Sequence, residues 1–234
     1  MQEFLEQFTG LDWSPLFITL KTAFAATVVA FFVGIVLAYA VMKSSTKVKA
    51  VIDDILTLPM VLPPTVAGFI LLLLFSRRRP LGMWLEATFG IQIVQTWTGC
   101  VIAAFIIAFP LMYRTTRAAF EQMDINLIHA GRTLGMSEVK IFRKIIIPTA
   151  GPGIASGTVL TFARAMGEYG ATTMLAGNIA GKTATISQQI AVVMKDGDYA
   201  SAGFWVVIIL LISFVILFLM NYFVGKNLKN IKRW

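Results

Sequence analysis

The sequence contains one cysteine, Cys100, and one histidine, His129, in 234 residues. A disulfide framework needs paired cysteines, and a metal centre needs clustered His, Cys or acidic side chains, so neither supports this fold. Charge is scarce as well. Only 14% of residues are charged, against roughly a quarter in a soluble domain. What fills the chain is apolar: 57% of residues, including 18 Phe and 11 Met, with a mean hydropathy of +0.77. These residues come in long blocks with too little polar surface to cover them in water, which excludes a soluble fold and disorder alike. The net charge of +8 does not signal nucleic acid, because no basic run is interleaved with aromatics. The sequence reads as an all-α integral membrane protein.

A membrane-crossing helix needs about 20 mostly apolar residues. Five segments qualify, at about 16–42, 55–75, 95–113, 151–175 and 204–224, and they make residues 1–234 a single transmembrane domain. Lys21 sits near the outer end of the first, where it can snorkel. The second carries Pro59, Pro63 and Pro64, so its first turns must be kinked or partly unwound. The fourth is interrupted by Gly153, Gly157, Gly167 and Gly170 and by the charged pair Arg164 and Glu168.

Met1–Trp13 holds Glu3, Glu6 and Asp12 and no basic residue, unlike the positive start of a secretory signal, so the first block reads as a retained span. Five spans place the two ends on opposite sides. With the N-terminus outside and the C-terminus cytoplasmic, thirteen of the 20 Lys and Arg lie inside and five outside, which is the expected basic asymmetry. Arg77, Arg78 and Arg79 run against it. The longest hydrophilic stretch, about 114–150, is then cytoplasmic, too short for a catalytic domain and long enough for a docking element. Residues 183–202 read either as an outer helix or as a segment dipping part-way into the membrane.

Within the inner stretch, Leu127, Ala130, Gly131 and Leu134 fall at i, i+3, i+4 and i+7, one helical face, with Asn126, His129 and Thr133 turned elsewhere. Gly135 suits a helix C-terminus, and Ser137 can cap a second helix running through Phe142 towards Pro148. The small residues Ala130 and Gly131 would let another protein approach closely, although an ordinary interfacial amphipathic helix fits the same periodicity.

The segment His129-Ala130-Gly131-Arg132-Thr133-Leu134-Gly135, followed by Ile147-Pro148, resembles the cytoplasmic coupling loop of ABC-importer permeases. Those carry Glu-Ala-Ala, three residues, Gly, and a Leu-Pro or similar pair further on. His129 and Gly131 depart from that pattern. Leu58-Pro59-Met60-Val61-Leu62-Pro63-Pro64-Thr65-Val66-Ala67-Gly68 resembles the start of the second span in permeases for tetrahedral oxyanions. Phe162-Ala163-Arg164-Ala165-Met166-Gly167-Glu168-Tyr169-Gly170-Ala171-Thr172 resembles their fourth. The nearest resemblance is to the molybdate/tungstate type; sulfate/thiosulfate permeases share much of the fourth-span signature.

This resemblance implies a type I importer permease fold in a prokaryotic plasma membrane. It implies a second copy of the chain, two copies of a cytoplasmic ABC ATPase, and an extracytoplasmic oxyanion-binding protein. ATP and Mg would be bound by the ATPase; this chain would carry no cofactor, no metal and no catalytic residue. Leu127, His129, Ala130, Gly131, Arg132, Thr133, Leu134, Gly135 and Pro148 would couple it to that ATPase. Transport would proceed by alternating access between two conformations.

Arg164 and Glu168 stand four apart. Such a pair either braces the fourth span against its neighbours or places positive potential near the path of a dianion. Gly153 and Gly157 form a small-residue face for close helix packing. Carbonyls freed by Pro63 and Pro64, beside Thr65, are tolerated at membrane depth only inside protein or along a cavity. The Arg77–Arg79 triplet concentrates anions, docks a binding protein, or anchors the chain at the interface. Ala176-Gly177-Asn178-Ile179-Ala180-Gly181-Lys182-Thr183 fits a relaxed phosphate-loop pattern, but such a loop works only between a strand and a helix, so ATP binding here is rejected. A membrane-embedded enzyme would need clustered His, Asp or Glu, and a secondary transporter tends to show internal repeats; neither is evident.

Overall fold

The computed structural model describes residues 12–231, so Glu3, Glu6, Lys232 and Arg233 of the charge count lie outside the described residues. The described residues form helices and connecting turns, with no strand. Helix α1 (Ser14–Met42) starts where Asp12 accepts from the Ser14 amide at 2.8 Å and its hydroxyl at 2.6 Å, with Pro15 in the first turn. Its packed face is a ladder of small residues, Ala23, Ala26, Ala30, Gly34 and Ala38. These meet α5 (Trp97–Glu121), whose Ala103, Ala104 and Ala108 are equally buried. In lipid, where apolar contact with a neighbour replaces apolar contact with tails, such close backbone approach is what holds helices together.

Between them, α2 (Thr46–Val61) and α3 (Pro64–Phe75) meet at an angle of 108°. Pro63 forces Leu62 out of the helical region (φ −71°, ψ 142°), and Pro64 then opens α3 at a position that needs no amide hydrogen. The expected kink is therefore a full break. No residue of α2 is buried, and it rests on the far end of α5. Helix α4 (Pro80–Phe89) follows and ends at Gly90 (φ 66°).

Helix α5 continues past the expected limit at residue 113 to Glu121, since Arg117, Ala118, Ala119 and Glu121 are good helix formers that extend it beyond the apolar block. Helix α6 (Ile125–Thr133) and α7 (Glu138–Ile141) form a hairpin. Helix α7 runs through a π turn at Phe142–Ile146 into α8 (Ile147–Met166), making one continuous helix from Glu138 to Met166. The fourth membrane helix thus begins well before Gly151. It stops at Gly167, and a separate short helix, α9 (Gly170–Ala176), follows.

Residues 183–202 contain α10 (Ile186–Lys195), whose start is fixed by a reciprocal Thr185–Gln188 capping box and by the Ile186 amide donating to Thr19 Oγ1 of α1 at 2.9 Å. Helix α11 (Tyr199–Ile231) packs through Ile209, Ile212, Ile216 and Met220 on the α1–α5–α8 core. By length and composition, α1, α5, Glu138–Met166 and Tyr199–Tyr222 can each cross a membrane, and the bent α2–α3 pair supplies a fifth candidate.

Candidate functional site

The two breaks come together. A Cβ added to Gly68 would lie 2.6 Å from Ala171 Cα, and one on Gly170 would lie 3.1 Å from Thr65 Cγ2 and 3.2 Å from Pro64 Cβ. Pro64 and Thr65 of the first break therefore sit directly against Gly170 of the second, and Gly68 against Ala171. The close approach requires glycine at both contact positions. Pro63, Thr65, Gly167 and Tyr169 are exposed around this junction, so its irregular backbone opens on a face of the single chain.

Arg164 and Glu168 lie at the same junction. Arg164 Nη1 donates to Glu168 Oε2 at 2.8 Å. The carboxylate's other oxygen accepts from the Ala171 amide at 2.8 Å. Glu168 lies beyond the end of α8, so it reaches back to one helix and forward to the next, and its side chain is 2% exposed. Arg164 is 34% exposed. The pair braces the break and leaves the guanidinium, not the carboxylate, reachable from outside.

Gly153 and Gly157 face α5. A Cβ on the first would approach Ala119 Cβ to 2.4 Å, and one on the second would approach Thr115 Oγ1 to 2.1 Å. These distances leave no room for a methyl group, and they lock α8 to α5 over the turns between the hairpin and the junction.

At the opposite end of the bundle, Asp124 caps α6 by accepting from the Asn126 amide at 2.9 Å, and Ser137 Oγ accepts from the Lys140 amide at 3.4 Å. Gly135, at φ 70°, closes the turn between them, with the Met136 amide donating to Gly131 O at 3.0 Å. One residue of α6, Gly131, leaves the expected face, while Leu127, Ala130 and Leu134 are exposed. Ile128 and Gly131 are the buried residues, and a Cβ on Gly131 would lie 2.9 Å from Ile145 Cδ1. Gly131 is thus small so that the hairpin can close on itself, and it belongs to the inner face. The outward surface is Leu127, His129, Ala130, Thr133 and Leu134, the last 79% exposed. Pro148 is exposed in the first turn of α8.

Glu138 joins this hairpin to α1, accepting from Arg132 Nε at 2.8 Å and pairing with Lys43 Nζ at 3.5 Å. Lys43 stands 4.3 Å over the Tyr39 ring, and contact with Tyr39, then with Glu138, raises its ammonium above the usual lysine range. A cavity of about 310 Å³ lies behind α6 between Tyr39, Phe120 and Ile146.

A second ionic cluster escaped the sequence reading. Asp53 on α2 accepts from Tyr113 and pairs with Arg117 on α5, and Lys49 pairs with Glu121. Glu121 also accepts from Arg117 at 3.2 Å. Only the Arg117–Glu121 spacing signals any of this locally. The arginine triplet lies between α3 and α4, where Arg77 pairs with Glu86 at 2.7 Å; Arg78 and Arg79 are exposed. Residues 177–183 form a turn sequence after α9, with Thr183 Oγ1 accepting from the Ile179 amide at 2.9 Å; a helix and not a strand precedes it, so it lacks the setting of a phosphate loop. Among the described residues no group of three His, Cys, Asp or Glu could hold a metal ion.

Comparison with known proteins accords with this architecture. The family model described as binding-protein-dependent transport system inner membrane component matches residues 30–229. The chain is 39% identical over 196 residues to the molybdenum transport system permease protein ModB of Escherichia coli K12, covering 83% of this chain and 86% of that protein. It is 36% identical over 209 residues to the putative molybdenum transport system permease protein YvgM of Bacillus subtilis 168, covering 89% and 92%. The sulfate transport system permease protein CysT of E. coli K12 is 33% identical over 204 residues, with coverage of 87% and 73%. Among solved structures, a bacterial ABC transporter importing the acidic polysaccharide alginate superposes with a TM-score of 0.80, covering 96% of this chain and 83% of that one, at 14% identity. That similarity concerns the fold. The match over residues 30–229 and the relatives at 36–39% identity place the chain in the family of binding-protein-dependent transport system inner membrane components.

Proposed function

We propose that this chain is the membrane-spanning subunit of an ATP-driven importer for molybdate or tungstate. The observation that carries the reading is the single helix from Glu138 to Met166. It joins the exposed α6–α7 hairpin to the broken-helix junction at Arg164 and Glu168, so movement at one is felt at the other. In this reading the N-terminus faces outward and the hairpin is cytoplasmic. The outward surface of α6 rests in a groove of a separate ATPase subunit, which binds ATP and Mg. A second copy of the chain covers the junction face, so that Pro63, Thr65 and Tyr169 of each copy border one pathway. An extracytoplasmic binding protein delivers the oxyanion, with Arg78 and Arg79 on its side of the membrane.

The chain's own residues do no covalent chemistry. They provide two arrangements whose balance is shifted by ATP at one end and by the loaded binding protein at the other. Arg164 supplies positive potential beside a dianion, and Glu168 holds it in place while keeping α9 capped. The identities to the molybdenum-system relatives, higher than to the sulfate-system relative, favour the molybdate class; sulfate or thiosulfate is the second reading.

The test is uptake of radiolabelled molybdate into liposomes holding this chain with its partner ATPase, fed by loaded binding protein, with and without ATP. ATP-dependent uptake that excess sulfate fails to suppress is expected. Suppression by sulfate keeps the architecture and overturns the anion. Equal uptake without ATP overturns the importer reading.

A further inference from the structure

Lys21 and Lys43 bracket twenty-one uncharged residues, Thr22–Met42. At 1.5 Å per residue that stretch is about 32 Å long, close to the roughly 30 Å thickness of a bilayer's hydrocarbon core. The spacing of the two lysines thus matches the separation of the two headgroup planes.

At the plane of Lys21 there is a cavity of about 540 Å³. Among the described residues its charged lining is Lys21 and Lys182, and no carboxylate lines it. Gln92, Gln95 and Thr96 add polar side chains, and Trp97 forms a wall, with Lys21 Nζ 4.0 Å above its ring. The Trp97 indole is fixed by donating to Thr22 Oγ1 at 3.0 Å. The loop is tied down by the Gln95 amide donating to Leu175 O at 3.2 Å, and Gln95 is the one non-glycine residue with a left-handed φ (61°) among the described residues. Two ammonium groups and amide donors on one wall form a receptor for an anion.

Below this cavity the same face of α1 continues as Phe24, Val28 and Phe32, all exposed. It borders a groove of about 500 Å³ closed by Phe31, Phe162 and Ile216, with no polar surface. From Lys21 to Phe32 the helix descends about 16 Å, roughly one leaflet's half of the hydrocarbon core. The cationic cavity and the apolar groove share one strip of one helix, at the depths where a lipid carries its phosphate and its tail. The broken-helix junction lies on α3 and α9 instead, so this strip is separate from the pathway face.

We propose that this strip binds one anionic phospholipid in the leaflet at the N-terminal end of α1. Its phosphate is held between Lys21 and Lys182, its headgroup hydroxyls meet Gln92 and Gln95, and one acyl chain lies along Phe24–Phe32 in the groove. The lipid fastens the outer end of α1 to the loops that precede α5 and follow α9.

The full chain is purified in mild detergent, and retained lipid is measured by native mass spectrometry after incubation with phosphatidylglycerol or phosphatidylcholine. Emission of Trp97, assigned by difference against Trp97→Phe, reports departure of Lys21 from its ring. The expected result is at least fivefold stronger retention of phosphatidylglycerol, with a saturable Trp97 signal. The double variant Lys21→Gln/Lys182→Gln should lose the preference, and Lys21→Arg/Lys182→Arg should keep it. Val28→Trp, which fills the groove and leaves both charges, should weaken retention several-fold. Equal retention of the two lipids, or an unchanged preference in the Gln double variant, overturns the proposal. A Trp97 signal with free molybdate and none with phosphatidylglycerol overturns it in favour of a free-oxyanion site. None of these readouts involves ATP or transport, so the outcome is independent of the importer reading.

Discussion

Glu168 and Arg164 meet at 2.8 Å across the end of a helix, with the acid buried and the base partly open to the outside. Removing Arg164 strands a buried carboxylate that retains only the Ala171 amide. Arg164→Ala should cost about 1–3 kcal/mol of stability, less than a fully buried pair because the arginine is partly solvated. Transport should fall at least tenfold while yield of the assembled complex stays within about twofold. Yield falling in step with uptake would assign the pair to bracing alone. Glu168→Gln keeps the cap but removes the charge, and separates the two roles in the same assay.

Gly157 and Thr115 fill one another's space. Gly157→Ala pushes a methyl into Thr115 Oγ1 at 2.1 Å, and thermal unfolding should report a loss of about 1–3 kcal/mol. Thr115→Ala on that background removes the obstructing oxygen and should restore most of the loss. A double variant no more stable than the single would show that α8 and α5 do not pack through this face.

Leu134 is a large apolar side chain with almost nothing to touch. Leu134→Asp should leave melting of the isolated chain within about 0.5 kcal/mol, as for other exposed positions. It should lower ATP-dependent uptake strongly by weakening association with the ATPase, read by co-purification. Gly131→Leu should behave in the opposite sense, destabilising the hairpin against Ile141 and Ile145. If both variants lose only stability, α6 is not the docking element.

Among the described residues Glu86 pairs with Arg77, and Arg78 and Arg79 have no such acidic neighbour. Arg78→Glu/Arg79→Glu should reduce binding-protein-dependent uptake several-fold at low salt, with the difference shrinking as ionic strength rises and the Debye length falls below about 10 Å. Uptake and binding-protein affinity unchanged at all salt concentrations would leave only interfacial anchoring.

Local chemistry was readable in advance and distant chemistry was not. Gly135 and Ser137 announce the hairpin because a left-handed turn and a helix cap each depend on residues a few positions away. Pro63 announces a break for the same reason, but the partner that Asp53 of α2 finds on α5, Arg117, stands sixty-four positions later. Gly131 leaves the face of Leu127, Ala130 and Leu134 for the inward one because Ile141 and Ile145 close against it from further along the chain, and periodicity within α6 carries no trace of them. Lys21 and Lys182 stand 161 positions apart, and nothing local to either foretells that they share a cavity. The extension of α5 to Glu121 shows that a helix need not end where its apolar run does.

The unbroken run from Glu138 to Met166 spans 29 residues, about 43 Å at the usual helical rise. A rod of that length acts as a lever: tilted by about 5°, its far end sweeps about 4 Å, given that rise. Such a displacement exceeds the tolerance of the Gly68–Ala171 contact, so a slight rocking of the hairpin is geometrically sufficient to part the two half-helices. The π turn at Phe142–Ile146 and Pro152 are where the rod's backbone hydrogen bonding is interrupted, so it gives between the handle and its midpoint rather than at the end that meets the junction.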